Sequence, residues 1–286
     1  MPTVVITGAS TGIGAATALH LDDLGWTVFA GIRRPEDGEA LRDRASSRLR
    51  PLRVDVTDQG QLRTAAADVA EATSGAGLDG LVCNAGIALG GPLEFVDLDE
   101  LRRQMEINVI GVVATVQAFL PLIRSARGRI VLTGSIGGRV TAPLLGPYSA
   151  SKHALVAVAA ALRTELRPWG IRVSLLEPGA VATPIWQKAN DAIGPLTAAL
   201  PEAAHRLYGR ALDRMTAVVE GQAKAAIPAR RVADAVTHAL TASSPRTRYV
   251  IGREARVTAA MRGLLPDRAF DRLVLRMTGM PATPEG

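Results

Sequence analysis

Short runs of β-branched and aliphatic residues alternate with longer segments of helical spacing along most of the chain. Runs of this kind are typical of strands buried on both faces of a parallel sheet, and the longer segments are typical of amphipathic helices. The predicted strands cover residues 3–7, 27–31, 51–56, 78–83, 129–133, 171–176 and 249–252. The predicted helices include residues 15–24, 100–125, 148–168 and 229–240. This alternation predicts an α/β fold, a doubly wound parallel sheet with helices on both faces, because crossovers between parallel strands are right-handed.

The chain is basic, with a net charge of +6 over 286 residues. A basic surface raises nucleic acid or an anionic membrane as partners. The basic residues are scattered, however, and nearly all of them are arginines, since Lys152, Lys188 and Lys224 are the only lysines. We interpret the basicity as compositional bias, and we expect no nucleic-acid partner.

Cysteine is scarce and the histidines are dispersed. Cys83 is the single cysteine, which excludes an internal disulfide framework and fits a reducing compartment, so we expect a cytoplasmic protein. Because Cys83 ends a predicted strand, a small core residue is a better interpretation than a reactive thiol. Cys83 and the histidines show no metal-ligand spacing, and no metal site is expected.

The hydropathy pattern favours neither a targeting signal nor a membrane span. Residues 2–6 lead straight into a glycine-rich loop, without a basic region or a long apolar segment before it. The most apolar later stretch, residues 107–123, is interrupted by Asn108, Gly111, Thr115, Gln117 and Pro121. A buried helix therefore explains this stretch better than a membrane span does.

A glycine-rich loop follows the first predicted strand and precedes a helix. Its sequence is Thr7-Gly8-Ala9-Ser10-Thr11-Gly12-Ile13-Gly14. Glycines let the backbone turn tightly and approach a pyrophosphate, whose charge is stabilised at the N-terminus of the following helix. The order of strand, loop and helix predicts a dinucleotide site.

The loop matches the TGxxxGIG motif of the short-chain dehydrogenase/reductase family, which the chain resembles over residues 1–185. The resemblance implies a Rossmann-type sheet that binds a nicotinamide dinucleotide, and a homodimer or homotetramer. It implies cofactor contacts from the loop residues Gly8, Ser10, Thr11, Gly12, Ile13 and Gly14.

The end of the second predicted strand favours NADP(H). NAD sites of dinucleotide folds carry an acid near this position, which bonds the ribose 2′-hydroxyl. Gly31, Ile32 and Arg33 include no acid, and Arg34 follows. Because a guanidinium is planar and permanently charged, we expect Arg33, supported by Arg34, to bind a 2′-phosphate. The alternative is that loop arginines in an arginine-rich chain bind no ligand.

Two segments after the third and fourth predicted strands also match the family. The resemblance implies that Asp55 and Val56 flank the adenine, although Asp55 equally suits the cap of a helix that starts near Asp58. It implies that the Asn84-Ala85-Gly86 segment passes the ribose and that Asn84 steadies the central sheet.

A third matching segment, Pro178-Gly179-Ala180-Val181-Ala182-Thr183, follows the sixth strand. The resemblance implies that the backbone at Val181 and the hydroxyl of Thr183 contact the nicotinamide carboxamide.

The stretch Tyr148-Ser149-Ala150-Ser151-Lys152 places a phenol and an ammonium at i and i+4, on one helix face. A phenol has a reference pKa of about 10, and a neighbouring positive charge favours the phenolate. Ser135 follows the fifth strand, at the sheet edge where active sites gather, and could hold a substrate oxygen against the phenol. The alternative is a surface helix with an ordinary tyrosine and lysine. In the family these residues are catalytic, and Lys152 also holds the nicotinamide ribose.

A polar amide, Asn108, lies within the apolar 100–125 segment and needs a partner if it is buried. The resemblance implies that Asn108 is catalytic and holds a water that links Lys152 to solvent. The alternative is a solvent-facing asparagine on a helix.

The family places a substrate lid at residues 184–228. The apolar side chains there are Ile185, Trp186, Leu196, Leu200, Leu207, Tyr208, Met215, Val218 and Val219. They suggest a lipophilic substrate, although apolar lid residues also simply pack. The tail, residues 253–286, is amphipathic, and we favour packing on the core or a subunit neighbour over a membrane surface. We therefore expect one catalytic domain over residues 1–252, with the lid inside it and the tail added.

The sequence predicts an NADP(H)-dependent oxidoreductase that interconverts a lipophilic alcohol and its carbonyl compound, with a loose resemblance to hydroxysteroid and retinol dehydrogenases. Two alternatives are a 3-oxoacyl thioester reductase and a dinucleotide-binding regulator without turnover. The presence of Ser135, Tyr148 and Lys152 argues against the regulator, because a sensor needs only the nucleotide site.

Overall fold

The computed structural model describes residues 1–184, 194, 197, 198 and 200–279. Its strands are β1 (Thr3–Ile6), β2 (Thr27–Ile32), β3 (Leu49–Arg53), β4 (Gly80–Cys83), β5 (Arg129–Thr133), β6 (Arg172–Pro178), β7 (Val181–Ala182), β8 (Ile227–Pro228) and β9 (Arg248–Ile251). Its helices are α1 (Gly12–Asp23), α2 (Pro35–Arg42), α3 (Gln59–Ala72), α4 (Leu98–Met105), α5 (Gly111–Ala126), α6 (Gly146–Glu165), α7 (Glu202–Lys224), α8 (Arg230–Thr241), α9 (Arg253–Leu264) and α10 (Asp267–Thr278).

Seven of these strands form one parallel sheet in the order β3-β2-β1-β4-β5-β6-β9. The strand order reverses between β1 and β4, where Val5 pairs in register with Leu81. Ligands of open α/β sheets bind outside the carboxyl ends of the strands at this reversal. The predicted doubly wound parallel sheet is therefore confirmed, and its geometry fixes where a cofactor would lie.

Helices cover both faces of the sheet, because successive strand residues point to opposite faces and both sets are apolar. On one face Val4 and Ile6 of β1 pack in a core that includes Leu21 of α1 and Val236 of α8. On the other face Val5 belongs to a second core, which α3, α5 and α6 complete. This double burial explains why the strands read as continuous apolar runs.

The predicted 100–125 helix is divided into three parts. α4 ends at Met105, the π-helical turn Glu106–Ile110 follows, and α5 begins at Gly111. The combined helix, Leu98–Ala126, is long and apolar enough to span a membrane by length and composition. Phe119 and Ile123 of this helix are fully buried in the second core, whereas Ile110 is 51% exposed, so one face of the helix is buried.

The cap of α3 differs from one of the two predictions for Asp55. Asp58 is the N-cap, and its side chain accepts a hydrogen bond from the Gln61 amide at 3.0 Å. The Asp55 carboxylate instead accepts from the amide and hydroxyl of Thr57, at 3.0 and 2.8 Å. The cap prediction for Asp55 is wrong, because Asp55 lies three residues too early to reach the first turn of α3.

The tail forms the helices α9 and α10, which pack on the rest of the chain. Ala255 of α9 lies against Gly179, and Leu275 of α10 packs against a small apolar cluster that includes Leu212 of α7. Within the tail, Arg262 pairs with Asp267 at 2.8 Å. One side of the tail thus packs on the rest of the chain, while Val257, Leu264 and Met277 are exposed. Residues 280–286 lie outside the described part of the chain.

Candidate active site

Ser135 and Tyr148 face each other across Gly137. Ser135 follows β5 in extended backbone, and its hydroxyl accepts a hydrogen bond from the Gly137 amide at 3.0 Å. A Cβ on Gly137 would lie 3.2 Å from Cε1 of Tyr148 and 3.4 Å from Oγ of Ser135. The absence of a side chain at this position therefore lets the hydroxyl and the phenol approach each other.

Lys152 lies beside Tyr148 on α6, as the helical spacing predicted. Its side chain is buried, its Nζ donates a hydrogen bond to the Thr133 carbonyl at 3.0 Å, and Nζ is 5.7 Å from the centre of the Tyr148 ring. The alternative of an ordinary surface lysine is wrong. Burying an ammonium is costly unless hydrogen-bond acceptors such as the Thr133 carbonyl lie beside it.

The pKa shift of Tyr148 differs in direction from the prediction. Burial raises the pKa of Tyr148, although the neighbouring Ser135 side chain acts to lower it. Burial also lowers the pKa of Lys152 to about 8. The expectation that Lys152 lowers the pKa of Tyr148 is not met, because the loss of hydration raises this pKa and the lowering contribution comes from Ser135.

Asn108 is fully buried in the π-helical turn and has a partner for each polar atom. Its Oδ1 accepts from the Ile87 amide at 2.8 Å, and its Nδ2 donates to the Ile87 carbonyl and to Ser151 Oγ, both at 2.9 Å. Ser151 in turn donates to the Tyr148 carbonyl at 2.7 Å. The solvent-facing alternative is wrong, and the amide instead joins the segment after β4 to the start of α6.

Gly86 lies between this asparagine and Lys152. A Cβ at Gly86 would be 3.2 Å from Asn108 Oδ1 and 3.6 Å from Lys152 Nζ. Because Gly86 has no side chain, Asn108 Oδ1 and Lys152 Nζ can both lie close to the backbone that follows β4.

The glycine-rich loop can exist only with glycine at two of its positions. Gly8 has a φ of +65°, and a Cβ there would lie 2.8 Å from the Cα of Ala85. A Cβ on Gly14 would lie 2.1 Å from the Gly8 carbonyl oxygen. Asn84 fixes the loop, because its Nδ2 donates to the Gly8 carbonyl at 3.0 Å while the Thr7 hydroxyl accepts from the Asn84 amide at 3.1 Å. This agrees with the steadying role expected for Asn84.

The N-terminus of α1 is suited to an anion. Thr11 is its N-cap residue, with no side-chain hydrogen bond to the first turn, and no acid lies in that turn. Gly12, with a φ of +60°, brings the loop close enough to Thr183 that a Cβ would contact its methyl group at 3.1 Å. A dinucleotide would fit here. Its pyrophosphate could accept hydrogen bonds from the backbone amides of the first turn of α1, beside the glycine-rich loop and the 178–183 segment. Ser10 and Ile13 belong to the same loop and first turn.

The two arginines after β2 have different surroundings. Arg34 donates to both carboxylate oxygens of Asp37, at 3.2 and 3.0 Å, and lies near Glu36. Its positive charge is therefore paired with two carboxylates of the first turn of α2. Arg33 is exposed and makes no ion pair with another described residue. Arg33 is therefore the better candidate for a 2′-phosphate, and Arg34 is less suited to the supporting role predicted for it.

The 178–183 segment is held next to β9. The Gly179 amide donates to the Ile251 carbonyl at 3.0 Å, and Val181 of β7 pairs with Ile227 of β8. The Thr183 hydroxyl donates to the Val181 carbonyl at 3.3 Å. Thr183 at the end of this segment lies next to Gly12 of the glycine-rich loop. The contacts of Val181 and Thr183 with a nicotinamide stay a prediction.

Helix α7, in the predicted lid, contacts the loop that follows β4. The Tyr208 hydroxyl donates to Glu94 Oε2 at 2.9 Å, and the Tyr208 ring meets Phe95 edge to face at 5.9 Å. These contacts join α7 to the loop between β4 and α4. Leu207 was also predicted as an apolar lid residue, but its side chain is 62% exposed and faces solvent instead of an apolar pocket wall.

A small apolar cluster connects α7 to the residues before Tyr148. Leu144 is buried with a φ of +63°, a strained value for a branched residue, and its carbonyl accepts from the Gly91 amide at 2.7 Å. The cluster consists of Leu144, Leu200, Tyr208, Ala211, Leu212, Met215 and Leu275. The predicted lid residues Ile185, Trp186 and Leu196 lie outside the described part of the chain.

Glu177 is a residue of the site that the sequence prediction missed. It is fully buried on β6 and binds Arg139 and Arg248. A carboxylate directly after the apolar run Leu175-Leu176 was the available signal, because a buried charge requires partners. Arg139 gave no local signal, since it lies far from Glu177 in sequence.

Two other observations limit the chemistry of the site. Burial raises the pKa of the Cys83 thiol to about 12, which makes it a core residue and not a nucleophile. Among the described residues, no group of three or more His, Cys, Asp or Glu side chains is placed to hold a metal ion.

Comparison with known proteins agrees with this arrangement. The family model for short chain dehydrogenase matches residues 2–194. The NADPH-dependent 3-dehydrocapnine reductase of Ornithobacterium rhinotracheale is 34% identical over 274 residues, 94% of this chain and 94% of that protein. Retinol dehydrogenase 5 of Mus musculus is 35% identical over 285 residues, 98% of this chain and 89% of that protein. A solved short chain dehydrogenase/reductase from Burkholderia phymatum, in complex with NAD, is 26% identical with a TM-score of 0.76, and the match covers 92% and 93% of the two chains.

Proposed function

Because this chain belongs to the short-chain dehydrogenase/reductase family, whose members act on alcohol and carbonyl groups, we propose that it transfers a hydride between NADP(H) and a lipophilic alcohol or its carbonyl compound. The observation that carries the proposal is the convergence of Ser135, Tyr148 and buried Lys152 at the carboxyl end of β5. A protein that only sensed a dinucleotide would not need this arrangement.

The proposed roles follow from the chemistry of each group. The Tyr148 hydroxyl gives a proton to the carbonyl oxygen during reduction and takes it back during oxidation, and the Ser135 hydroxyl holds that oxygen. Lys152 supports Tyr148 and holds the nicotinamide ribose, and Asn108 keeps the lysine in contact with solvent through a water. When bound, the nicotinamide supplies the hydride chemistry, while the chain supplies orientation and proton transfer.

The protonation state of Tyr148 supports reduction at neutral pH. Burial raises the pKa of Tyr148, so the phenol keeps its proton and can donate it. Oxidation requires the phenolate, which forms only at higher pH. The oxidation rate should therefore rise with pH over a range in which the reduction rate stays level or falls.

The choice of NADP(H) rests on Arg33. Its guanidinium is exposed at the end of β2, while Arg34 is engaged with Asp37. The name of the 3-dehydrocapnine reductase relative includes NADPH dependence, whereas the Burkholderia phymatum structure holds NAD. The cofactor therefore needs a direct test on this chain.

Arg33→Ala and Arg34→Ala form a matched pair for this test. Arg33→Ala is expected to weaken NADPH at least about tenfold and to change NADH little, because a charge-assisted bond to phosphate is lost. Arg34→Ala should have a smaller effect, since Arg34 is already paired within α2. Equal losses for NADPH and NADH in Arg33→Ala would show that the 2′-phosphate assignment is wrong.

A lipophilic substrate is supported by the apolar cluster between α7 and the residues before Tyr148. The test is a panel of retinal, a ketosteroid and a 3-oxoacyl thioester, monitored by NADPH absorbance. Turnover of retinal or the steroid supports the proposal, and turnover of the thioester alone supports a thioester reductase. Bound NADPH with no turnover of any of them would favour a regulator.

A further inference from the structure

A buried carboxylate lies between the segments that the proposed reaction uses. Glu177 is fully buried on β6, directly before Pro178. Arg139 donates to it twice, from Nε to Oε1 at 2.9 Å and from Nη2 to Oε2 at 2.7 Å. Arg248 of β9 donates from Nε to Oε2 at 2.9 Å and from Nη2 to Oε1. Each carboxylate oxygen thus accepts two charge-assisted hydrogen bonds.

Arg139 belongs to the turn that carries Ser135. The 3₁₀ turn Ile136–Gly138 begins after Ser135 and ends at Arg139. Its backbone hydrogen bonds are local, such as the Gly138 amide to the Ser135 carbonyl at 2.9 Å and the Arg139 amide to the Ile136 carbonyl at 2.9 Å. These bonds fix the shape of the turn. The pairing of Thr133 with Leu176 places the start of the turn beside β6, and the Arg139 side chain holds its other end there.

The same turn packs closely on α6. A Cβ on Gly137 would touch the Tyr148 ring at 3.2 Å, and a Cβ on Gly138 would lie 2.7 Å from the Lys152 carbonyl oxygen. The Ser135 turn and the start of α6 therefore form one packed unit. The pair of Arg139 and Glu177 joins this unit to the strand end that leads into the 178–183 segment.

Fold stability alone is a weak explanation for the ion pairs of Glu177 with Arg139 and Arg248. Burial by itself would raise the pKa of Glu177, but the hydrogen bonds and charges of Arg139 and Arg248 outweigh it and hold that pKa below its usual value. Apolar residues of similar volume often stabilise a fold as well as a buried ion pair does. What two guanidinium forks add is a fixed direction and distance between the elements they join.

We propose that Arg139 is a positioning residue for the reaction, which acts through Glu177 to hold the Ser135 and Tyr148 unit at the correct distance from the nicotinamide segment. The proposal rests on the proposed function, since it assigns a role within the same site. Arg139 touches neither substrate nor cofactor in this role. Arg248 keeps Glu177 ionised and anchors it to β9, outside the catalytic segments.

Arg139→Gln and Arg248→Gln provide a matched comparison, because each leaves Glu177 with one arginine. Only Arg139→Gln releases the Ser135 turn. We expect kcat of Arg139→Gln to fall by about 10- to 100-fold, since a displacement of about 1 Å at a reacting centre can cost that much. We expect Arg248→Gln to keep kcat within about threefold of the wild type, although both variants lose one charged partner of Glu177 and should melt at similarly lowered temperatures.

A role in stability alone is separated from positioning by two further readouts. The Kd for NADPH of folded Arg139→Gln should stay within about threefold of the wild type, so that the loss lies in kcat. The isotope effect on kcat, measured with NADPH deuterated at the transferred position, should increase because hydride transfer becomes slower. Arg48→Gln disturbs a different pair, between the partly exposed Arg48 and the buried Asp22 of α1, and should change neither readout.

The outcomes decide between the claims. Equal kcat losses in Arg139→Gln and Arg248→Gln, or an unchanged kcat in Arg139→Gln, would overturn the positioning role while leaving the proposed function intact. If Arg139→Gln does not fold, Arg139→Lys keeps the charge beside Glu177 but loses the fork, and an unchanged kcat in that variant would overturn the role as well. A wild-type protein that turns over no carbonyl of the panel would overturn the proposed function and this inference with it.

Discussion

Replacing Lys152 with methionine is expected to stabilise the fold while removing activity. Lys152 is 6% exposed, and burial lowers its pKa from 10.5 to about 8. The lower pKa in the folded chain corresponds to about 3 kcal/mol of lost stability when the lysine is charged. Methionine has a similar unbranched shape and carries no charge.

The destabilisation by Lys152 depends on pH in a defined direction. Because the pKa is lower in the folded chain, the unfolded chain holds one more proton between pH 8 and about pH 10.5, and the stability of the wild type rises with pH over this window. At pH 9.5 about 1 kcal/mol of this cost remains. The variant also loses the hydrogen bond from Nζ to the Thr133 carbonyl, worth about 1 kcal/mol.

Lys152→Met should therefore be more stable than the wild type by about 2 kcal/mol at pH 7 and nearly equal to it at pH 9.5. Urea unfolding at both pH values, without cofactor, measures the two differences. Lys224→Met, which removes an exposed lysine of α7, is the control and should show little change at either pH. A wild type that is more stable than Lys152→Met at pH 7, or a difference that does not shrink with pH, would refute the reasoning.

Two further pairs of variants test the cofactor loop and the lid. Gly14→Ala should abolish NADPH binding in a fluorescence titration, since its Cβ would lie 2.1 Å from the Gly8 carbonyl oxygen. Gly209→Ala is the control: its Cβ would meet no atom within 4 Å, so this α7 variant should keep NADPH binding and raise stability by up to about 1 kcal/mol. Normal NADPH affinity in Gly14→Ala would contradict this account of the loop. Leu275→Ala should raise KM for a bulky lipophilic carbonyl about tenfold and KM for a small ketone hardly at all, while Leu264→Ala, at an 82% exposed position, should change neither. Equal KM changes for the large and small substrates would show that Leu275 does not shape the substrate side of the site.

Features encoded within a short stretch of chain were predictable. The alternation of apolar runs and helical segments predicted the parallel sheet, which the structure confirms. The spacing of Tyr148 and Lys152 predicted that they share a helix face, and the structure brings them together. The family is confirmed by the match over residues 2–194 and by the retinol dehydrogenase relative.

Features that depend on distant partners were not predictable. The link between Glu177 and Arg139 joins residues 38 positions apart, and no local pattern announces it. Tyr148 is half-buried, and the hydration it loses in the fold raises its pKa, which the spacing of two side chains cannot reveal. Arg34 was predicted to support a phosphate, but a local pairing with Asp37 competes for its charge.

Some predictions remain open. NADP(H) as the cofactor, the catalytic and cofactor-binding roles of individual residues, and the division into a domain of residues 1–252 and a tail stay predictions. A cytoplasmic location and a homodimer or homotetramer also stay predictions.

The central claim is that Tyr148 transfers the proton, and a single-turnover measurement with Tyr148→Phe tests it most directly. The variant lacks only the hydroxyl, so NADPH affinity should stay within about threefold of the wild type. The rate of NADPH oxidation by a carbonyl that the wild type reduces should fall by about 10²- to 10⁴-fold. A Tyr148→Phe protein that binds NADPH normally and keeps more than about a tenth of the wild-type rate would contradict the account.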